Sequence, residues 1–360
     1  MSCPLAKGPA LEAYLTSLLG RPARLLSIRP LGESQRADSG KGYGYGVPLL
    51  LEYEADGQRQ RAVLETIRPG PFGHEHMADR AQQLLWDHRA FGQLPRHVRA
   101  FDVGILRQDG GLQSLGQAEE FFLLMEFAEG EAYATDLRRL QHAEQPAELD
   151  LLRCDALCDY LVQIHAQRGP DPGLYARRIR ELVGHGECIM GLTDSYPEEY
   201  ADLLRRLEHR CLDWRWRIKG RSDRLRQVHG DFHPWNILFR QGTEFCVLDR
   251  ARGEWGEPAD DVVSLSLNYL FFSLQGSGRV GGALGVLFQR FWQRYLSRSG
   301  DPGVLQVAAP FVAFRGLVLA SPRWYPDLPA DLRRRLFIFM ERVLEAPAFD
   351  PERAASYLEG

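Results

Sequence analysis

The stretch that decides the fold is Val228-His229-Gly230-Asp231-Phe232-His233-Pro234-Trp235-Asn236-Ile237-Leu238-Phe239, followed after a short turn by Phe245-Cys246-Val247-Leu248-Asp249. Residues 237–239 and 245–248 are apolar and strand-forming, and Gln241-Gly242 between them is a turn signal, so the pattern is that of a tight hairpin. Such a hairpin holds Asp231 and Asn236 at one mouth and returns Asp249 to the same mouth. Two carboxylates and an amide, all oxygen donors, form the set that a hard divalent cation such as Mg²⁺ requires. A carboxylate left free of the metal is placed to accept or orient the proton of an attacking hydroxyl. Singly, Asp231 reads as a turn cap and Asn236 as an amide that holds loop backbone. It is the three together, at these spacings and framed by strands, that specify chemistry.

Working outward, the segments before this stretch alternate strand-like runs with turns. Strands are expected at 23–29, 47–55, 58–67, 98–106 and 120–127, with the turn Asp56-Gly57 joining the second and third. A Gly-rich polar stretch occupies 32–46, and residues 77–91 carry apolar positions at helical spacing (Met77, Ala81, Leu84, Leu85). From residue 150 the texture is helical, with helices expected at 151–168, 175–184, 198–219, 261–274, 286–297 and 331–346. Strands first and helices afterwards predict an α+β chain with two lobes.

Composition narrows the class. The chain has 360 residues, 44% hydrophobic and 26% charged, which suits one bilobal enzyme or two domains. A net charge of −4 is too small to advertise a nucleic-acid partner. The apolar runs 267–274 and 307–320 are too short to span a bilayer or are broken by Pro310 and Arg315, so no membrane partner is expected. Six cysteines lack paired metal-ligand spacing, and the first residues lack the apolar core of a signal peptide. The expectation is a cytoplasmic protein, monomer or homodimer.

His-Gly-Asp-x-x-x-x-Asn followed by a strand ending in Asp resembles the aminoglycoside phosphotransferase and choline kinase superfamily, which has a protein-kinase-like bilobal fold. The opening His229-Gly230-Asp231 is similar to the small-molecule kinases rather than to the His-Arg-Asp of protein kinases. The resemblance implies Asp231 as the catalytic carboxylate, with Asn236 and Asp249 holding Mg²⁺ on the phosphates of ATP or GTP. It also implies a small-molecule hydroxyl acceptor. Residues 123–130, Leu-Leu-Met-Glu-Phe-Ala-Glu-Gly, look like a strand and hinge, with the backbone of Glu126 and Ala128 offered to a purine. Residues 161–165 resemble the family's helix end with its Leu-His pair. Residues 256–261 resemble its Gly-Asp-Pro-Ala-x-Asp stretch, with Glu257 in place of Asp and Asp261 as a partner that orders the catalytic loop. His229 is expected to bond backbone behind that loop, and His233 lies beside Pro234 within it. The implied division is a nucleotide-binding lobe over 1–126, a hinge at 127–130 and a helical catalytic and substrate lobe over 131–360.

One position departs from the pattern. The fold carries a strand lysine that neutralises phosphate charge, but the matching strand here reads Ala62-Val63-Leu64-Glu65. The chain has three lysines (Lys7, Lys41 and Lys219), so none lies on that strand. A pair of reversed polarity, Glu65 with Arg80 on the helix 77–91, is the expectation, with Arg80 or Lys41 of the Gly-rich stretch meeting the phosphates. The segment Phe72-Gly73-His74-Glu75-His76 is expected to shape the entry to that helix. Acceptor contacts are expected from 169–226, where Arg177, Arg178, Arg180, His185 and Glu187 are polar candidates, and from a pocket wall at 323–327. The alternative reading, a pseudokinase, draws on Glu65.

Overall fold

The computed structural model describes residues 8–31, 46, 48–93, 95–250 and 252–358. The chain is α+β and divides into two compact units, Met1–Met125 and Glu126–Gly360.

In the first unit, β1 (Ala23–Pro30), β2 (Leu49–Ala55) and β3 (Gln58–Leu64) form an antiparallel sheet in that order. Asp56 and Gly57, both at positive φ, make the β2–β3 turn that the sequence signalled. The alternation of β2 puts Leu51, Tyr53 and Ala55 on one face, where they meet Leu11 and Leu15 of α1 (Gly8–Leu19) in a small core. Strand β3 ends at Leu64, so Glu65 sits one residue past the ladder, with its side chain exposed. The helix expected at 77–91 is α2 (Met77–Ala90). Its entry is shaped by the preceding segment: the Asp79 carboxylate accepts the His76 N–H at 2.7 Å.

Two strand expectations fall short. Of 98–106 only β4 (Gly104–Leu106) is strand, paired with β5 (Leu112–Ser114). Residues 120–127 form no ladder, and Phe122, Leu123, Leu124 and Phe127 are strongly exposed. Their apolar pattern has no partner edge among the described strands, and a strand without a partner has no hydrogen bonds to hold it.

The second unit is mostly helical. After β6 (Glu131–Ala132) come α3 (Tyr133–Leu140), α4 (Glu148–His165), α5 (Gly173–Gly184), α6 (Ile189–Thr193) and α7 (Ala201–Ile218). Two small sheets follow: β7 (Arg226–Gln227) pairs with β10 (Trp255–Gly256), and β8 (Ile237–Phe239) lies between β6 and β9 (Phe245–Val247). The chain closes with α8 (Ala259–Ser277), α9 (Gly282–Ser299), α10 (Ala309–Ala320), α11 (Ala330–Glu345) and α12 (Ala354–Leu358).

The centre is α8, buried at every position from Ala259 to Leu274. A helix that is apolar on all sides belongs inside a core, and α9 and α10 pack on it. The apolar run 307–320 holds helix α10. Pro310 lies in its first turn, where a missing N–H costs no hydrogen bond.

Candidate active site

The site begins with the hairpin. Ile237 pairs with Val247 and Phe239 with Phe245, and the Asn236 carbonyl accepts the Leu248 N–H at 2.8 Å. That bond fixes Asp249, the next residue, beside Asn236. Asp249 is exposed and adopts φ +56°, a left-handed conformation that carboxylate and amide residues tolerate better than other side chains. The turn from Asp231 to Asn236 is tied to itself: the His233 N–H donates to the Asp231 carbonyl and the Asn236 N–H to the His233 carbonyl, both at 2.9 Å. Phe232 anchors it in the core by stacking on Tyr160, and Trp235 by packing on Phe272. Asp231 and Asn236 thus share one turn, and the Leu248 bond brings the backbone of Asp249 alongside Asn236.

Asp261 holds the segment from behind. Fully buried in the first turn of α8, its carboxylate accepts the N–H of His229 at 2.8 Å and of Gly230 at 2.7 Å. His165 Nε2, whose Nδ1 meets the Tyr295 hydroxyl, lies 3.1 Å from the same carboxylate. Burial alone pushes the Asp261 carboxyl up, but the bonds to His165 and the backbone hold it below its usual range. His229 accepts the Asp231 N–H through Nδ1, and burial pulls its own pKa down, so it lines the loop as a neutral ring. Gly230 runs at φ +85° with Arg252 and Arg178 against it, a place where any side chain would be strained. Glu257, the residue standing where the family has Asp, is sealed in a bidentate pair with Arg224 and takes the Tyr175 hydroxyl, which fixes the entry to α8.

The sequence reading missed Arg315. It lies in the middle of α10, only 6% exposed, and donates to Asp231 Oδ1, to the Gly230 carbonyl at 3.1 Å and to Asp260 Oδ1 at 3.3 Å. Its signal was a lone arginine inside an otherwise apolar helix, since a buried cation demands an anion. Burial by itself raises the Asp231 carboxyl, but His233 and Arg315 overcome it and hold the group far below the usual carboxylate range. The other carboxylate oxygen, Oδ2, faces the Asn236 amide at 3.4 Å and His233 Nε2 at 3.5 Å.

The residues fit a divalent cation bound in part by phosphates. The Asn236 amide nitrogen is turned to Asp231, at 3.1 Å from its carbonyl, which leaves its oxygen available. No cluster of three or more His, Cys, Asp or Glu among the described residues makes a closed metal cage. One carboxylate and one amide suit Mg²⁺, which is commonly held by few protein ligands and by substrate phosphates.

Other expectations require correction. Arg80 does not pair with Glu65: its guanidinium donates to the carbonyls of His74 at 2.8 Å and Glu75 at 3.2 Å, closing the loop before α2. Fifteen residues of spacing allow the approach of strand and helix but do not fix side-chain direction, and nearby carbonyls captured the arginine. Lys41 lies outside the described residues. Glu126 and Ala128 lie in the extended segment without a ladder, at the division between the units. Of the wall expected at 323–327, Trp324, Tyr325, Pro326 and Asp327 line a cavity with Gln275 and Leu332, and Arg323 does not. Gln275 is fourteen residues along α8 from Asp261, about 21 Å of helix, so that cavity is remote from the Asp261 end of the helix.

Comparison with known proteins follows this geometry. The sequence profile of the phosphotransferase enzyme family matches residues 51–302. No curated protein matches the chain by sequence. Among solved structures, the chain is similar to a spectinomycin phosphotransferase in complex with ADP and spectinomycin, at 12% identity over 98% of this chain and 97% of that one, with a TM-score of 0.33. It is similar to the amicoumacin kinase hAmiN in complex with AMP-PNP, Ca²⁺ and Ami, at 15% identity over 87% and 90%, with a TM-score of 0.39. It is also similar to the choline kinase LicA from Streptococcus pneumoniae, at 12% identity over 93% and 97%, with a TM-score of 0.32. The profile spans the Asp231–Asn236–Asp249 mouth and the Asp261 support behind it, and the chain belongs to the phosphotransferase enzyme family.

Proposed function

We propose that the protein is a small-molecule kinase that transfers the γ-phosphate of ATP or GTP to a hydroxyl of its acceptor, with Mg²⁺ held by Asn236 and Asp249. The observation that supports this reading is the hairpin that ties Asn236 to Asp231 and sets the backbone of Asp249 alongside Asn236. Bound there, Mg²⁺ would neutralise phosphate charge as it develops in transfer. Asp231 aligns the acceptor hydroxyl. A carboxylate so far below its usual range is a poor store for a proton at neutral pH, so its part is orientation rather than full deprotonation. Asp261, Arg315 and the Asn236 amide keep that carboxylate in place.

The test is thermal unfolding with ATP or GTP, with and without Mg²⁺, for wild type and Asp249→Asn. Nucleotide at about 100 times its dissociation constant stabilises by about 2.7 kcal/mol, and the expected result is a Mg²⁺-dependent upward shift in Tm that Asp249→Asn abolishes. The pseudokinase alternative rests on Glu65 at the lysine position. An absence of any shift with either nucleotide would favour it.

A further inference from the structure

The carboxylate of Asp231 stands between two different surroundings. Oδ2 faces Asn236 and His233, the side of the mouth where the metal donors lie. Oδ1 faces Arg315, and behind Arg315 lies a group of arginines drawn from three separate elements. Arg315 on α10 and Arg178 on α5 share Asp260, at 3.3 and 3.1 Å. Arg178 also lies 3.7 Å from Glu181, which Arg177 already pairs at 2.6 Å. Arg252, three residues past Asp249, packs its guanidinium over the Phe314 ring at 4.4 Å.

Arg177, Arg178, Arg252 and Arg315 face Glu181, Asp260, Glu187 and Asp231, equal in number but not equally sheltered from solvent. Half-buried Asp231 and buried Asp260 are both engaged by Arg315. Arg252, although its side chain is only 15% exposed, has a single carboxylate partner among the described residues. That partner is Glu187, at 3.3 Å, on the loop between α5 and α6 and 58% exposed. Burial, and after it repulsion from Arg315, pulls the Arg252 pKa below its usual value. A guanidinium presents five donors; Asp260 and Asp231 act on this one through space, and its direct carboxylate contact is Glu187, which faces solvent where a ligand can replace it.

We infer that Arg252 is the anion-binding arm of the acceptor site: the hydroxyl-bearing acceptor carries an acidic group, carboxylate or phosphate, that displaces Glu187 and pairs with Arg252 beside Asp231. The inference rests on the phosphotransfer reading above and names the acceptor class that this site selects. The acidic group lies on the Oδ1 side of Asp231, with its hydroxyl turned to the carboxylate, while the nucleotide phosphates come in on the Oδ2 side. A polycation offers no group that can take the place of Glu187 on Arg252, so it is the acceptor class this arm does not select.

The experiment compares matched probes on the full-length protein at constant ionic strength: glycerate, gluconate and glycerol 3-phosphate against glycerol, glucose and kanamycin. Thermal shift reports binding, and ADP release in the presence of Mg²⁺ and ATP reports turnover. The acids are expected to raise Tm where their neutral partners and kanamycin do not. Arg252→Gln weakens acid binding by about tenfold or more. Glu187→Gln strengthens it, because a competing carboxylate is gone, and that opposite sign cannot come from a misfolded variant. Equal shifts for acids and neutral partners, or an acid shift unchanged in Arg252→Gln, would overturn the inference. So would loss of acid binding on saturation with Mg²⁺ and AMP-PNP, which would give Arg252 to the nucleotide. ADP formed equally well from neutral acceptors removes the anion arm and leaves the kinase reading standing. Arg252-dependent acid binding without ADP formation does the reverse.

Discussion

Asp231 has each oxygen of its carboxylate held by a different partner: His233 and Asn236 face Oδ2, and the buried cation Arg315 bonds Oδ1. The ionised form is favoured in the folded chain, so Asp231 contributes stability above the ordinary carboxylate pKa of about 4, and this is lost as pH falls through the lower folded value. The wild-type rate should therefore show no acid limb from Asp231 in the ordinary carboxylate range. In Arg315→Met the carboxyl rises and an acid limb moves up towards neutral pH, to be read in the pH profile of kcat. The same variant should lose about 3–5 kcal/mol of stability at pH 7, the usual cost of breaking a buried ion pair, with the deficit shrinking as pH drops below about 4. At this scale the sequence was legible wherever one turn of chain fixes the spacing: Asp231, Asn236 and Asp249 are set by a local loop and hairpin. Arg315 lies 84 residues from Asp231 and beyond the matched span 51–302, so nothing local announced its partner. Arg80 went wrong for a related reason, since its rotamer was decided by carbonyls five and six residues away.

Among the elements, α8 is the one on which the site is mounted. Its first turn supplies Asp261 to the loop and Asp260 to Arg315 and Arg178, and its burial on all sides fixes where they point. Near its far end Gly276 meets the turn between α3 and α4 so closely that an added Cβ would lie 2.4 Å from the Gln141 carbonyl oxygen. Backbone cannot move aside as a side chain can. Gly276→Ala is expected to cost about 1–3 kcal/mol despite its better helix propensity, and a denaturant midpoint will show it as a loss. Helical periodicity located α4, α5, α7, α8, α9 and α11, because a buried stripe must repeat every turn, but not α1, α3 or α10, the last of which reads only as an apolar run. Strands fared worse: 120–127 has strand-like residues, yet pairing is a property of two segments and only one was in view.

At the scale of the whole molecule, the division into Met1–Met125 and Glu126–Gly360 falls inside that same exposed segment. Phe121, Phe122, Leu123 and Phe127 are open to solvent on chain that makes no ladder, the kind of backbone a protease can draw into its cleft. Brief chymotrypsin treatment of the native protein should cut first between residues 120 and 128. Mass spectrometry should then find a surviving fragment that corresponds to the second unit. Survival of the full chain at protease levels that digest unfolded protein would contradict this.

The placement of Arg315 on α10 also bears on how the protein is made. Ribosomes deliver the motif from His229 to Asp249 well before they deliver residue 315, and the exit tunnel withholds the latter longer still. Until α10 emerges, the Asp231 carboxylate is without the cation that holds it ionised in the folded core. A message cut short between the codons for residues 302 and 315 would encode the entire family-matched span, yet yield a chain whose Asp231 lacks the cation on Oδ1. The full set of contacts on Asp231 is thereby tied to synthesis past residue 315.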